Sequence, residues 1–371
     1  MALDSSIQRI ARLTPLGAIL ALVEAQVGAV TPRSCALSAA PGATLAKDVV
    51  VSEYPPRPIA LRDGYAVEAA AISDASSYAP LPFASPPPRV DAGAALPPGT
   101  DAVAPFDAVV LRGDRAEAIA AVTPGEGVLP AGGDVTSRAP LHRAGERLRA
   151  LDLAVMAAAG VTEVNVRSPR VLIACGSAAT TPIIAAASAL LTDLIVKSGA
   201  TVVGSRGSLE AALADDQSDA VVAIGGTGSG RNDTAVQTLA RLGRVDVHGI
   251  AISPGETAAF GFAGARPVLL VPGRLDAALA VWCLLGRHIV AGLAAGTIEA
   301  ASVMLPLKRK VTSTIGLTEL VPVRCADAVA EPLGSGYLSF AALTRSGGFM
   351  IVPADSEGFA AGAQVTVTPW L

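Results

Sequence analysis

Between residues 169 and 290, short uncharged runs alternate with helical stretches, and this alternation constrains the fold more than any other feature of the sequence. The predicted strands are residues 171–174, 200–204, 220–224 and 267–271, and the predicted helices are residues 183–197, 209–214, 234–242 and 275–290. Continuous apolar strands separated by helices indicate a doubly wound α/β domain, with a parallel sheet covered on both faces. Ligands bind at the carboxyl ends of such strands, so functional residues are expected in the loops that follow them.

The rest of the 371-residue chain is too long to share one core with this sheet. A helix is predicted at residues 7–27 and a strand at 46–51. Residues 53–133 are dense in proline and glycine, which indicates a loop-rich β domain. A helix at 151–160 and a strand at 162–167 would then return to the N-terminal helix, and after residue 300 only short strands are predicted. The expected domains are residues 1–48 with 140–167, an inserted β-rich domain at 49–139, the α/β domain at 168–299 and a C-terminal β domain at 300–371.

The composition favours a protein of the cytoplasm. A hydrophobic content of 51% and a mean hydropathy of +0.51 suggest a membrane protein at first sight. However, no apolar stretch reaches the roughly 20 residues of a spanning helix, and the best one ends before Arg287 and His288. The N-terminus has no signal-peptide pattern. Four widely spaced cysteines are typical of reduced thiols rather than of disulfides or a zinc site.

Charge and histidine content exclude further classes of function. The net charge is −4 and no long basic run is present, so nucleic acid is not expected as a partner. With only three histidines, His142, His248 and His288, a histidine-based metal site is disfavoured and a structural role is expected for each.

A glycine-rich run, which we call the glycine loop, is the main candidate for a ligand site. It consists of Gly225, Gly226, Thr227, Gly228, Ser229 and Gly230, and it lies between a predicted buried strand and a predicted helix. Such a loop lets the backbone approach a ligand, and its N–H groups beside a helix N-terminus attract an anion. It matches neither the Walker A motif nor the dinucleotide fingerprint. A tight turn of purely structural origin is the alternative.

Asp233 follows the glycine loop at the predicted start of a helix. A carboxylate beside a phosphate would repel it unless the carboxylate holds a metal ion. The alternative is that Asp233 is the N-cap of the helix beginning at residue 234, a position that aspartate favours.

Six motifs in one order resemble the molybdopterin molybdenumtransferases, the family that includes the gephyrin E-domain, and the match runs from about residue 5 to the end of the chain. They are Arg62-Asp63-Gly64-Tyr65-Ala66-Val67, residues 96–103, Gly132-Gly133-Asp134-Val135, the glycine loop with Asp233, residues 252–257 and residues 271–274.

This resemblance implies a fold and a reaction. The fold would comprise an elongated N-terminal domain, the inserted β-rich domain, a molybdopterin-binding α/β domain and a small C-terminal β-barrel domain. The subunits would form a homodimer, with each site between the α/β domain of one subunit and the insertion of the other. The family inserts molybdate into adenylylated molybdopterin with the help of a magnesium ion (Mg2+), releases AMP and serves molybdoenzymes.

Carried over to this sequence, the resemblance assigns roles to particular residues. Asp233 would lie near the metal ion and act in catalysis together with Asp63 and Asp134, for which turn stabilisation beside glycine is an equal alternative. The substrate would contact the glycine loop and five residues in two later segments, namely Pro254, Gly255, Pro272, Gly273 and Arg274.

The sequence departs from the family pattern at charged positions. The family's acidic pair after the first strand is replaced within Cys175-Gly176-Ser177-Ala178-Ala179, and the pair after the second strand by residues 205–208. Two family lysines are Ser253 and Glu256 here. Three functions therefore remain open: an active transferase, a non-catalytic molybdopterin or cofactor carrier, and an interaction protein with a vestigial pocket.

Overall fold

A computed structural model of the chain describes residues 8–136, 139–176, 181–298 and 301–370. The chain divides into two compact units. The main unit comprises Met1–Lys47, Ala144–Leu153 and Glu163–Leu371, and the inserted unit comprises Asp48–Arg143 and Ala154–Thr162. The finer division into four domains stays a prediction.

The N-terminal region contains one helix and two short strands, α1 (Leu16–Gln26), β1 (Arg33–Ala36) and β2 (Thr44–Leu45). The predicted helix at residues 7–27 is therefore wrong in its first half. Pro15 stops it, because the residue before a proline avoids the helical conformation. The predicted strand at 46–51 is also misplaced: these residues cross between the two units, and only Val49 makes an isolated bridge there, to His142.

The inserted unit is built from short strands that proline and glycine interrupt. They are β3 (Ile59–Ala60), β4 (Gly64–Val67), β5 (Leu81–Pro82), β6 (Arg89–Val90), β7 (Ala102–Ala104), β8 (Val109–Arg112), β9 (Arg115–Ala118) and β10 (Val128–Leu129). They form three small sheets with the orders β6-β4-β7, β5-β9-β8 and β10-β3. Buried Val67, Ile72 and Val109 belong to the core of this unit.

After the insertion the chain returns through α2 (Ala150–Ala158) and β11 (Glu163–Arg167). Strand β11 pairs antiparallel with both β1 and β2, so segments from either side of the insertion share one sheet.

The α/β region has a six-stranded sheet with helices on both faces. Its elements are β12 (Arg170–Cys175), α3 (Pro182–Lys197), β13 (Thr201–Arg206), α4 (Leu209–Ala214), β14 (Ala220–Ile224), α5 (Ala235–Leu242), β15 (Arg244–His248), β16 (Ile252–Ser253), β17 (Ala259–Ala263), β18 (Arg266–Val271), α6 (Leu275–Val281), a π-helical turn (Trp282–Gly286) and α7 (Arg287–Ala294). The strand order is β13-β12-β14-β18-β17-β15, and β16 lies in another sheet. The first four strands are parallel, but β17 and β15 form an antiparallel edge that the sequence did not predict.

The helix Leu275–Ala294 is, within the described residues, the one helix long and apolar enough to cross a membrane. In the protein, 83% of the most apolar stretch of this helix is buried, which is typical of a core helix. Burial also raises the pKa of the Cys283 thiol on this helix to about 12. All four cysteines are free, as predicted.

The C-terminal region is a mixed sheet with one helix. It contains β19 (Val303–Pro306), β20 (Val311–Thr312), β21 (Thr318–Ala326), β22 (Val329–Pro332), α8 (Phe340–Arg345), β23 (Gly348–Val352), β24 (Gly358–Phe359) and β25 (Gln364–Pro369). The expectation that helices end at residue 300 is wrong, because Ser339 caps α8 by accepting a hydrogen bond from Ala342 N at 3.2 Å. The strand path β16-β21-β23-β25-β19 is open, and β22 pairs with β21 beside this path. An isolated bridge joins Leu307, which follows β19, to Ala330 of β22.

Candidate functional site

The glycine loop leaves the carboxyl end of β14 at the point where the order of the sheet reverses. Strand β14 pairs with β12 on one side and β18 on the other, whereas β13, which precedes β14 in sequence, lies on the far side of β12. The crevice between β12 and β14 is therefore a topological switch point, where sheets of this kind bind ligands.

The first two glycines are required by their backbone conformation and, at Gly226, also by packing between the turns that follow β12 and β14. Gly225 and Gly226 have φ angles of +85° and +72°. A Cβ on Gly226 would lie 2.0 Å from the carbonyl oxygen of Gly176. The structural interpretation of the glycine run is therefore correct for these two positions.

Asp233 folds back into the glycine loop. Its Oδ2 accepts a hydrogen bond from Gly230 N at 2.8 Å, while Asp233 N donates to Gly230 O at 3.0 Å. A Cβ on Gly228 or Gly230 would lie within 2.9 Å of the same Oδ2. The N-cap position of α5 is Thr234, so the interpretation of Asp233 as that cap is wrong.

The N-terminus of α5 is capped by a residue that sequence patterns did not suggest. Gln8 is 5% exposed, and its Oε1 accepts from Val236 N at 2.8 Å and from Gln237 N at 3.1 Å. Its Nε2 donates to the carbonyls of Gly226 at 3.0 Å and Gly228 at 2.8 Å. The expected anion site at the helix N-terminus is thus filled by a side-chain amide.

The backbone of the glycine loop itself offers donors instead. The N–H groups of Thr227, Gly228 and Ser229 donate to no acceptor in the part of the chain that the structure describes. Thr227 is 2% exposed, and its carbonyl lies 3.0 Å from Nε2 of His248, in agreement with the structural role expected for that histidine. Consecutive N–H groups on a fixed turn form a concave anion-binding nest.

The segment 252–257 is joined to the loop by a hydroxyl contact, since Thr227 Oγ1 and Thr257 Oγ1 are 3.0 Å apart. Pro254 and Gly255 are buried, and Gly255 has a φ of +127°. The Glu256 carboxylate accepts a hydrogen bond from Gly255 N at 3.1 Å and thereby stabilises this turn. Because it is negative, it does not supply the positive charge of the family lysine that it replaces.

The segment 271–274 follows the neighbouring strand β18 and lies against the loop. A Cβ on Gly273 would be 3.5 Å from the Cα of Gly225, and Pro272 is buried. Arg274 does not supply an unpaired positive charge, because it binds the buried carboxylate of Asp276 at 3.1 and 2.6 Å. These hydrogen bonds raise the pKa of Arg274, and its guanidinium lies 5.1 Å from the centre of the Tyr337 ring.

A polar cavity of about 200 Å³ borders Ser253 and was not foreseen from the sequence. Glu319 is 3% exposed there, and its Oε1 accepts from Ser335 Oγ and Gly336 N, both at 2.7 Å. The hydroxyl of Ser313 is buried without a partner in the described residues. A glutamate inside a predicted β strand gives no sequence signal of such a site.

Asp63 and Asp134 both belong to the inserted unit, whereas the glycine loop belongs to the main unit. Both are exposed. Asp63 Oδ1 accepts from Ala92 N at 2.8 Å, which supports its turn role. The Asp134 carboxylate accepts no hydrogen bond from any residue in the described ranges.

The positions that replace the family's acidic residues are only partly described. Ser177 to Ala179 lie outside the described residues. Cys175, Ser205 and Arg206 border a cavity of about 400 Å³ at the carboxyl ends of β12 and β13. Arg206 pairs with Asp215 at 2.6 Å, and Ser208 caps α4 by accepting from Ala211 N.

No group of three or more potential metal ligands occurs among the described residues. The loop offers a single carboxylate, that of Asp233, of which one oxygen is held by Gly230. Mg2+ is often bound through one or two carboxylates plus substrate phosphates, so the loop fits an ion that arrives with its substrate but not a resident one.

Three family models match the chain in sequence order. The MoeA N-terminal region (domain I and II) matches residues 8–160, a probable molybdopterin binding domain matches residues 185–292, and the MoeA C-terminal region (domain IV) matches residues 304–370.

Comparisons with individual proteins agree with the family models. A putative molybdopterin biosynthesis protein of Methanocaldococcus jannaschii is 34% identical over 154 residues, which are 41% of this chain and 36% of that relative. The chain thus matches little more than a third of that relative. The crystal structure of the molybdopterin biosynthesis MoeA protein from Pyrococcus horikoshii OT3 is similar over 97% of this chain and 100% of its own, with a TM-score of 0.76 and 23% identity. A second structure of a molybdopterin biosynthesis MoeA protein from P. horikoshii is 26% identical over 96% of this chain and 99% of its own, with a TM-score of 0.72.

Proposed function

Because this chain belongs to the MoeA family of molybdenum cofactor biosynthesis proteins, we propose that it inserts molybdate into adenylylated molybdopterin and releases AMP. The observation that carries the proposal is the nest of N–H groups in the glycine loop, which have no acceptor among the described residues and lie at the switch point of the sheet. A pterin nucleotide presents a pyrophosphate, which is the kind of group such a nest binds.

In this proposal three loop segments contact different parts of the substrate. The N–H groups of Thr227, Gly228 and Ser229 bind phosphate oxygens. Pro254 and Gly255, together with Pro272 and Gly273, present rigid backbone beside them. Arg274 is 56% exposed in its side chain, and Asp276 fixes its orientation, so it contributes directed hydrogen-bond donors more than net charge.

Release of AMP requires water to cleave the phosphoanhydride bond, with AMP as the leaving group. Asp233 is the carboxylate nearest to the nest in sequence, and its Oδ1 remains available to orient water while Oδ2 holds Gly230 N. A magnesium ion bound to the pyrophosphate would supply charge neutralisation and would use Asp233 as its protein ligand. Asp63 and Asp134 would act from the insertion of the partner in a homodimer.

Molybdate-dependent AMP release from adenylylated molybdopterin tests the proposal. The wild type should release AMP only when molybdate is present. Asp233→Asn should keep the hydrogen bond to Gly230 N and the affinity for the pterin nucleotide, but should lose at least tenfold in rate. Asp355→Asn, at an exposed turn, is the matched control and should behave as the wild type.

Other results of these experiments would distinguish the carrier and the interaction protein from the transferase. Tight binding of molybdopterin by calorimetry without AMP release would favour the carrier function. Failure of the wild type to bind either molybdopterin or its adenylate would overturn both and leave an interaction protein. Full activity of Asp233→Asn would restrict Asp233 to holding the loop.

A further inference from the structure

A second cavity of about 400 Å³ lies in the main unit, far from the glycine loop in the fold. One wall is the face of α7 that carries Arg287, Ala291 and Ala294, which are spaced at i, i+4 and i+7. Another wall is the end of α3 at Lys197, which is followed after three residues by the parallel strand β13. The end of α3 therefore lies at the amino edge of the sheet, whereas the glycine loop lies at the carboxyl edge.

The described lining of this cavity is basic and contains no acidic residue. It includes the side chains of Arg147, Arg149, Lys197 and Arg287. Three of them have protein partners: Arg147 donates to Gly42 O at 2.9 Å and to Val196 O at 3.3 Å, Arg149 binds Asp152 at 2.9 and 3.0 Å, and Lys197 pairs with Asp193 at 3.1 Å.

Arg287 differs from the other three. It is 9% exposed, and it makes no hydrogen bond or ion pair with any residue in the described ranges. Its burial lowers the pKa of the guanidinium from its usual value. A buried charge without a partner costs free energy, which an anion in the cavity would offset.

The helix is shaped so that Arg287 faces this cavity. The π turn Trp282–Gly286 directly precedes Arg287 and inserts an extra residue into the helical repeat. A Cβ on Gly286 would lie 2.3 Å from the Trp282 ring, so the turn depends on glycine there. Such turns occur frequently at functional sites.

We propose that this cavity binds the oxyanion group of a small molecule, a phosphate or a carboxylate, with Arg287 as its ion-pairing residue. The planar guanidinium presents paired N–H donors that match either group. The volume suits a small metabolite, because ligand pockets begin at about 300 Å³. Ala291, Ala294 and Gly296 leave the space open, and buried Thr44 adds a hydroxyl to the wall.

Thermal unfolding of the full chain tests this proposal, with inorganic phosphate and succinate as probes and chloride of equal ionic strength as reference. At least one probe should raise the melting temperature of the wild type. Arg287→Met should weaken that apparent affinity at least tenfold, and it should not lower the melting temperature in chloride. Arg345→Met, at an exposed position, is the matched control and should keep the full response.

A second variant neutralises Arg287 without removing it. Ala291→Glu places a carboxylate four residues along the same face, where it pairs with Arg287 and occupies the cavity. It should also abolish the response to the anion. A phosphate ion bound at the glycine loop would stabilise both variants as it does the wild type, so an undiminished response in Arg287→Met would overturn the proposal. No response of the wild type to either probe would overturn it as well, whatever the outcome of the AMP-release assay.

Discussion

At the residue scale, Gln8 makes four hydrogen bonds to the glycine loop and to the start of α5 with one buried side chain. Its partners lie 218 to 229 residues away along the chain. No local pattern distinguishes such a glutamine from any other, so the sequence predicted the loop but not the residue that holds it. The same is true of Glu319, whose carboxylate is buried by a tertiary arrangement alone.

We expect Gln8→Ala to destabilise the protein and to loosen the loop. The N–H groups of Val236 and Gln237 and the Gly228 carbonyl lose the hydrogen bond to Gln8, while the Gly226 carbonyl keeps Ala235 N as a donor. A lost buried hydrogen-bonding group costs about 1–3 kcal/mol. Urea unfolding measures the change in the free energy of unfolding. Gln217→Ala removes an exposed glutamine and should change the stability by less than about 0.5 kcal/mol. Equal stability of the two variants would contradict the role assigned to Gln8.

Gly226→Ala tests whether packing, rather than ligand approach, selects the first glycines of the loop. The added Cβ would meet Gly176 O at 2.0 Å, and the φ of +72° is unfavourable for alanine. Strain of this kind costs on the order of 1–3 kcal/mol. At Gly207, a Cβ would meet nothing within 4 Å, so Gly207→Ala is the control and should be tolerated. A Gly226→Ala variant of wild-type stability, measured without ligand, would argue for a ligand-based requirement.

At the element scale, the sequence predicted best the elements with an uninterrupted apolar run or a clear cap. Strand β14 and helix α4 have the predicted bounds, because a fully buried strand is a continuous apolar run and α4 begins at a serine cap. The antiparallel edge β15–β17 was missed for two reasons. Arg244–His248 alternates charged and apolar residues, and the buried strand β17 is short and contains Gly261 at its centre. A helix was predicted at residues 275–290. It extends to Ala294, and its π turn has no sequence pattern of its own.

Helix α7 also carries a pH dependence. Burial and the charge of Arg287 lower the pKa of His288 below the usual value of a histidine side chain. The unfolded chain therefore gains a proton near pH 6.5 while the folded chain does not, so the free energy of unfolding falls as the pH drops below about 6.5. Urea unfolding between pH 7.5 and 5.5 measures this slope. His288→Gln cannot titrate and should flatten it, whereas an unchanged slope would assign the dependence to other groups.

At the scale of the whole molecule, the order of the regions follows from changes of period and from the density of proline and glycine. The return of the chain from the insertion to the N-terminal helix was predicted from a single helix and strand. In the structure β11 pairs with the strands β1 and β2 of the N-terminal region. Sequence periodicity cannot predict how two subunits share a site, because the residues of a subunit interface do not recur at a regular spacing along the chain. The proposal that Asp63 and Asp233 act from different subunits therefore requires a test in solution.

Mixing two single variants provides that test. If each site combines Asp63 of one subunit with Asp233 of the other, a heterodimer of Asp63→Asn and Asp233→Asn has one intact site and one doubly altered site. Random pairing of equal amounts makes half of the dimers mixed, so co-refolded protein should recover about one quarter of the wild-type AMP release. Each variant alone should keep at most about a tenth of the wild-type rate, and sedimentation should show a dimer throughout. If the mixture stays as inactive as its parents, the site is not shared in this way; if Asp63→Asn alone is fully active, Asp63 only supports its turn through Ala92 N.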